Sequence, residues 1–128
     1  MTELPPLPAS LVALALQTAP ETTRAYAELT ADLNPIHLDL GFAANTAFGR
    51  PILHGTMALN LILEAAAQTF GRARAVNGLR VRFLKPVPVG ETIRACGTLA
   101  DAAAGTYAVW VETDSGIRAL EGTLTIAR

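Results

Sequence analysis

One segment limits what the rest of this chain can do. From Gly55 to Phe70 there is no proline, and Met57, Leu59, Leu61, Ile62, Leu63, Ala65, Ala66 and Ala67 put apolar side chains nearly all the way round a helix. Such a helix is stable only when other elements cover it. The chain has 128 residues, 51% of them hydrophobic and 16% charged, which is enough apolar material for one domain over residues 1–128. One stripe breaks the apolar surface: Thr56, Asn60, Glu64 and Gln68 recur every fourth position and share a face. That face is either a solvated edge or the wall of a cleft or partner contact.

Cover for the helix is written downstream of Gly71, where the period shortens to two. Leu79, Val81 and Phe83 alternate with Arg80 and Arg82, as in a half-buried strand. Three further strands are predicted over 91–99, 106–113 and 117–127, separated by turn residues at 101–105 and 114–116. Their close succession predicts that these last four strands form an antiparallel meander, and the whole reads as α+β, helices first and then a sheet around the central helix.

Upstream, Pro5, Pro6 and Pro8 mark an extended lead-in, and 10–18 reads as a strand. Pro20 suits a first helical turn and opens an amphipathic helix over 20–31. Asn34-Pro35 breaks it, because the residue before proline avoids helical geometry. Asp39 is positioned to cap a short helix over 40–47, and Gly49-Arg50-Pro51 is a loop. Ten basic against eleven acidic residues lack the basic footprint of a nucleic-acid binder. A single cysteine excludes an internal disulfide and a cysteine-cluster zinc site. No apolar run is long enough to span a membrane. The apolar stretch 11–16 follows Glu3 and prolines rather than Lys or Arg, the wrong sign for a signal peptide, so the expected location is cytoplasmic.

Chemistry concentrates in the proline-broken connection. Both histidines of the chain, His37 and His54, lie there, preceded by Asp32 and Asn34. In Asp32-x-Asn34-Pro35-x-His37 the proline stiffens the turn, so that a carboxylate and an imidazole can converge on one water and manage its protons. Asn34 offers donors and acceptors to orient either group or the water. The bland alternative stays open at this level: Asp and Asn as caps and turn-formers, His37 as a satisfied loop histidine. His54-Gly55 opens the central helix, whose first N–H groups and partial positive charge suit a developing oxyanion. His54 itself reads as structural, bonding across the loop.

The block Tyr26-Ala-Glu-Leu-Thr-Ala-Asp32-Leu-Asn34-Pro-Ile-His37-Leu-Asp39, joined to Phe48-Gly-Arg-Pro-Ile-Leu-His54-Gly55 and then to Gly78-Leu-Arg-Val-Arg-Phe-Leu-Lys-Pro-Val87, resembles the MaoC-like, (R)-specific enoyl-CoA hydratase family. The resemblance implies a hot-dog fold, a curved antiparallel sheet wrapped around the long helix. It implies reversible hydration of a trans-2-enoyl thioester to the (R)-3-hydroxyacyl thioester. Asp32 and His37 match the family's catalytic pair, Asn34 its supporting asparagine, and Gly55 the residue whose N–H binds the thioester oxygen. No metal or other cofactor is implied. The expected partners are an acyl thioester of coenzyme A or acyl carrier protein and a second copy of the chain in a homodimer. Two positions depart from the pattern: Ala31 stands where glycine is common, and Thr56 where methionine is common.

Three rival functions carry distinct signals. His37, Asp39 and His54 have the ligand types of a two-histidine, one-carboxylate iron site, but both histidines sit on one connection with no barrel-like strand pattern before them. A hot-dog thioesterase binds the same kind of substrate, since fold does not dictate reaction. A non-catalytic acyl-thioester-binding subunit would be signalled by loss of Asp32 or His37, and both are present.

Overall fold

The computed structural model describes residues 6–71 and 74–127, so the first five residues of the predicted lead-in lie outside the described residues. In chain order the elements are β1 (Leu14–Gln17), α1 (Pro20–Thr30), a 3-10 turn (Pro35–His37), α2 (Leu40–Ala44), α3 (Gly55–Phe70), β2 (Val76–Phe83), β3 (Thr92–Asp101), β4 (Thr106–Thr113) and β5 (Arg118–Ile126). The five strands form one antiparallel sheet in the order β1-β3-β4-β5-β2.

α3 lies against the concave face of this sheet. Met57, Ala58, Leu61, Ile62, Ala65, Ala66 and Phe70 are buried, and Ala65 and Ile62 are fully so. Facing them along β3, β4 and β5 are Ile93, Ala95, Tyr107, Val109, Val111, Leu120 and Leu124, the inward members of the period-two alternation. Phe70 meets the Tyr107 ring edge-on at 5.4 Å. The helix is not sealed all round, however: Thr56, Asn60, Leu63, Glu64, Ala67 and Gln68 remain exposed along one side. The polar stripe divides. Thr56 and Asn60 meet Tyr26 of α1, whereas Gln68 donates to Glu64 at 3.4 Å on the exposed side of the helix.

The expected four-strand meander is corrected. β3, β4 and β5 follow one another, but β2 pairs with β5 at the far edge. The reason lies in the connection after Phe83. Pro86 and Pro88 prevent a tight hairpin, and the segment is held instead by the loop before α3: Leu53 N–H donates to the Val87 carbonyl at 2.8 Å, and Val89 N–H to the Pro51 carbonyl at 3.0 Å. The chain therefore crosses to the other end of the sheet before β3 begins.

Close packing between strands relies on glycine at two places. A Cβ on Gly97 would stand 2.8 Å from the Leu11 side chain, and one on Gly122 would run into the Arg80 carbonyl oxygen. The predicted strand 10–18 is shorter than expected. A lone bridge joins Ser10 to Thr98, then Leu11 turns inward and Val12 N–H donates to the Thr69 hydroxyl of α3, so regular pairing starts only at Leu14. The helix predicted over 20–31 ends at Thr30, and Asp39 caps α2 by accepting from Phe42 N–H at 3.0 Å. α2 stops at Ala44 rather than 47, because Asn45 and Thr46 turn back on Phe42 and Ala43.

Candidate active site

The site is assembled where α1 ends and α3 begins. Ala31 closes α1 in the left-handed region, at φ 58°, and both its N–H and that of Asp32 donate to the Ala27 carbonyl. This reversal throws Asp32 off the helix axis toward α3. Its Oδ1 accepts from Asn34 N–H at 3.3 Å, and Asn34 Oδ1 in turn accepts from Ile36 N–H at 3.1 Å. The two side chains thus build consecutive turns, the behaviour that makes Asp and Asn common in such connections. Asn34 acts here as the cap of the 3-10 turn that carries His37, and its side-chain amide N–H groups remain to orient a ligand.

His37 is locked to the loop before α3. Ile52 N–H donates to the Ile36 carbonyl at 3.2 Å, and the Ile52 carbonyl accepts from His37 Nδ1 at 2.7 Å. A carbonyl can only accept, so Nδ1 carries the proton, and neutral His37 presents a bare Nε2. That nitrogen lies 4.0 Å from Asp32 Oδ2. The separation is too long for a direct hydrogen bond and right for one water held by both groups. The His37 side chain is only 11% exposed, while Asp32 is 51% exposed and open to solvent on its outer side.

His54 underlies both. It is 2% exposed, its Nε2 donates to the Asp32 backbone carbonyl at 3.0 Å, and its ring stacks on His37 with centroids 3.9 Å apart and planes 25° from parallel. Tyr26 closes over the His54 ring at 4.9 Å, while its hydroxyl bonds Thr56 Oγ1 at 2.7 Å and receives Asn60 Nδ2 at 2.8 Å. Neither Tyr26 nor the extent of the His54 contacts was legible beforehand. The only hint was the polar stripe, whose first two members are the residues Tyr26 engages.

Gly55 is the first residue of α3, and no side chain caps that turn. Its N–H has no partner within the helix, and the helix end adds partial positive charge. The Phe83 ring of β2 lies 3.5 Å from where a Cβ on Gly55 would be. Between them runs a small, mainly apolar cavity of about 40 Å³, bounded by Leu53, Ala58, Phe83, Val87 and Ile93, with Lys85 at its wall. A larger groove of about 450 Å³ lies on the opposite, convex face of the sheet, among Arg80, Arg82, Trp110, Arg118 and Glu121, far from the Asp32–His37 pair. Arg82 is paired with Glu121 at 3.0 Å on that face, whereas Lys85 of the neighbouring loop lines the small cavity. Cys96 also faces outward, opposite Trp110; burial pushes its thiol up, with the Glu112 carboxylate adding to the effect.

Asp32, His37 and His54 bring ligand atoms within 4.8 Å of one another. Their geometry does not suit an ion. His37 Nδ1 and His54 Nε2 are spent on carbonyls, and the stacked rings keep their remaining lone pairs in planes only 25° from parallel, with centroids 3.9 Å apart, which opposes convergence on one metal at about 2.0–2.1 Å. Asp39, the carboxylate of the iron alternative, is occupied capping α2.

A curved five-stranded antiparallel sheet of this order around one long helix is a hot-dog domain. The chain belongs to the MaoC like domain family, whose profile matches residues 8–117. It is 42% identical over 72 residues to the (R)-specific enoyl-CoA hydratase of Aeromonas caviae, a segment covering 56% of this chain and 54% of that protein. It is 39% identical over 101 residues to 3-hydroxyacyl-thioester dehydratase Z of Mycobacterium tuberculosis, covering 73% of this chain and 67% of that one. Among solved structures, the (R)-hydratase from A. caviae superposes with a TM-score of 0.79 at 31% identity, over 90% of this chain and 91% of that one. An R-hydratase from Pseudomonas aeruginosa gives 0.83 at 26% identity, over 94% and 79%.

Proposed function

We propose that this protein adds water reversibly to trans-2-enoyl thioesters, giving (R)-3-hydroxyacyl thioesters, with Asp32 and His37 as its catalytic residues. The observation that carries this is the tautomer of His37: Nδ1–H is held by the Ile52 carbonyl, so a basic Nε2 faces the Asp32 carboxylate across the space of one water. Asp32 orients that water, and His37 Nε2 withdraws its proton as the oxygen bonds to C3. The electron pair of the C2–C3 double bond moves toward the thioester, whose oxygen takes up negative charge against the Gly55 N–H. The new imidazolium, balanced by Asp32, returns its proton to C2, so the site ends as it began. Dehydration is the same path reversed. Asn34 supports the site by holding the turn and by offering its amide to the ligand.

The substrate enters as a thioester of coenzyme A or acyl carrier protein, its acyl part directed past Gly55 toward Phe83. The protein works as a homodimer through β2. That strand is a sheet edge eight residues long, and Val76, Phe83 and Leu84 are exposed on or beside it. An open edge of this kind is an aggregation hazard unless another strand covers it. A second copy pairing there continues the sheet and walls the cavity at Phe83.

The deciding experiment follows the ultraviolet absorbance of trans-2-butenoyl-CoA with purified protein, with chiral analysis of the product. Loss of the conjugated absorbance with an (R)-3-hydroxy product supports the proposal. Release of free thiol without hydration moves the protein to the thioesterases. Neither signal, with either carrier, leaves a non-catalytic binder.

A further inference from the structure

His54 is a buried titratable group, 2% exposed, that takes no part in the proton transfers proposed above. Two of its contacts each reach a different member of the reacting pair. Its Nε2 donates to the backbone carbonyl of Asp32 at 3.0 Å, and its ring face carries the His37 imidazole at 3.9 Å. A histidine that merely filled space would have no reason to address both.

We propose that His54 is a positioning residue, a neutral Nε2–H imidazole that sets the Asp32-to-His37 separation by clamping one backbone and supporting the other ring. This rests on the hydratase function proposed above. The carbonyl of Asp32 accepts only, so His54 Nε2 carries the proton. Its Nδ1 is buried with no hydrogen-bond partner among the described residues. Nothing there accepts a second proton's hydrogen bond, and an imidazolium at that position would lie face to face with the imidazolium that forms on His37. Tyr26 from α1, Asp32 and His37 from the connection, and Lys85 beside the shared cavity are the titratable groups around it. The two histidines therefore hold opposite tautomers: Nδ1–H in His37, with Nε2 free to react, and Nε2–H in His54. Tyr26 closes the remaining side of the clamp and is itself fixed by Thr56 and Asn60 at the start of α3.

The two contacts separate by substitution. His54→Gln keeps a donor near the Nε2 position but removes the ring; His54→Phe keeps a ring but removes the donor; His54→Ala removes both. Displacing a catalytic group by about 1 Å can lower turnover about a hundredfold. The expected order of kcat is wild type, then Gln and Phe, each down by about tenfold, then Ala by about a hundredfold, with KM within threefold throughout. Partial rescue of Ala by both Gln and Phe is the signature of two separate supports. Folded variants, by circular dichroism, that keep wild-type kcat would overturn the proposal. Where a variant does not fold, nitrogen-15 imidazole spectra of the wild-type protein at pH 8 decide. The chain has only two histidines, so two opposite neutral tautomers are expected, with His37 assigned by its loss in His37→Ala. An Nδ1–H tautomer for His54 would overturn the clamp. A wild-type protein inactive on enoyl thioesters would instead overturn the functional proposal, while these spectra would still decide the clamp.

Discussion

The two ends of α3 live under opposite rules. From Met57 onward the helix is held by apolar contact with β3, β4 and β5, and Ile62 and Ala65 see no solvent at all. At its first residue the helix has no side-chain cap, a glycine in place of a side chain, and a carboxylate and two imidazoles gathered beside it. The body of the helix is stabilised by filling space, whereas its start leaves space open and amides without intrahelical partners. One element can do both because the sheet grips its far turns firmly enough to hold an open first turn in place.

The sharpest way to break this comparison is to remove chemistry without touching the core. His37→Ala or Asp32→Asn is expected to lower hydration by about 10²–10⁴-fold, the usual worth of a positioned acid or base, while thermal melting stays near wild type. Full activity in either purified variant would sink the assignment. The reverse experiment is Ile62→Ala, which opens a cavity in the core between α3 and the sheet and is expected to destabilise by about 2–5 kcal/mol. Urea titration measures it, and the surviving folded fraction should keep its kcat; a stable variant with damaged kcat would blur the two ends into one.

Gly55→Ala tests the open first turn. Its Cβ would meet Phe83 at 3.5 Å, an ordinary contact, so the fold should tolerate it. The methyl narrows the path of the thioester oxygen, and turnover should drop by about a hundredfold. Unchanged turnover would separate Gly55 from the oxyanion. The smallest effect concerns the residue before Asp32. Ala31 sits at φ 58°, a region that disfavours side chains, so Ala31→Gly is expected to stabilise by about 1 kcal/mol net of the chain entropy glycine adds. Calorimetry checks this, and a lower melting temperature would contradict it.

Much of this was legible from residues alone because the signals are local. The bounds of α3, the break at Asn34-Pro35 and the Asp39 cap follow from period, ring constraint and a side chain bonding its near neighbours. The strand order did not follow. A meander is the simplest path for successive strands, and only the grip of the 51–53 loop on Val87 and Val89 sends β2 to the far edge beside β5. Within the site, Asp32, Asn34, His37 and Gly55 could be named from the motif. His54 could be seen only as bonding across the loop, and Tyr26 carried no separate signal.

The sequence by itself thus determined which segments become helix and strand, which residue types could manage a proton, and where a helix would begin without a cap. These depend on spacing within a few residues. Only the tertiary structure decided that Asp32 Oδ2 and His37 Nε2 stand 4.0 Å apart, that the Ile52 carbonyl holds the proton on His37 Nδ1, and that His54 lies beneath both. Each of these joins residues 5 to 22 positions apart in the chain through loops anchored on α3 and the sheet, and a distance of that kind is set by packing rather than by local preference.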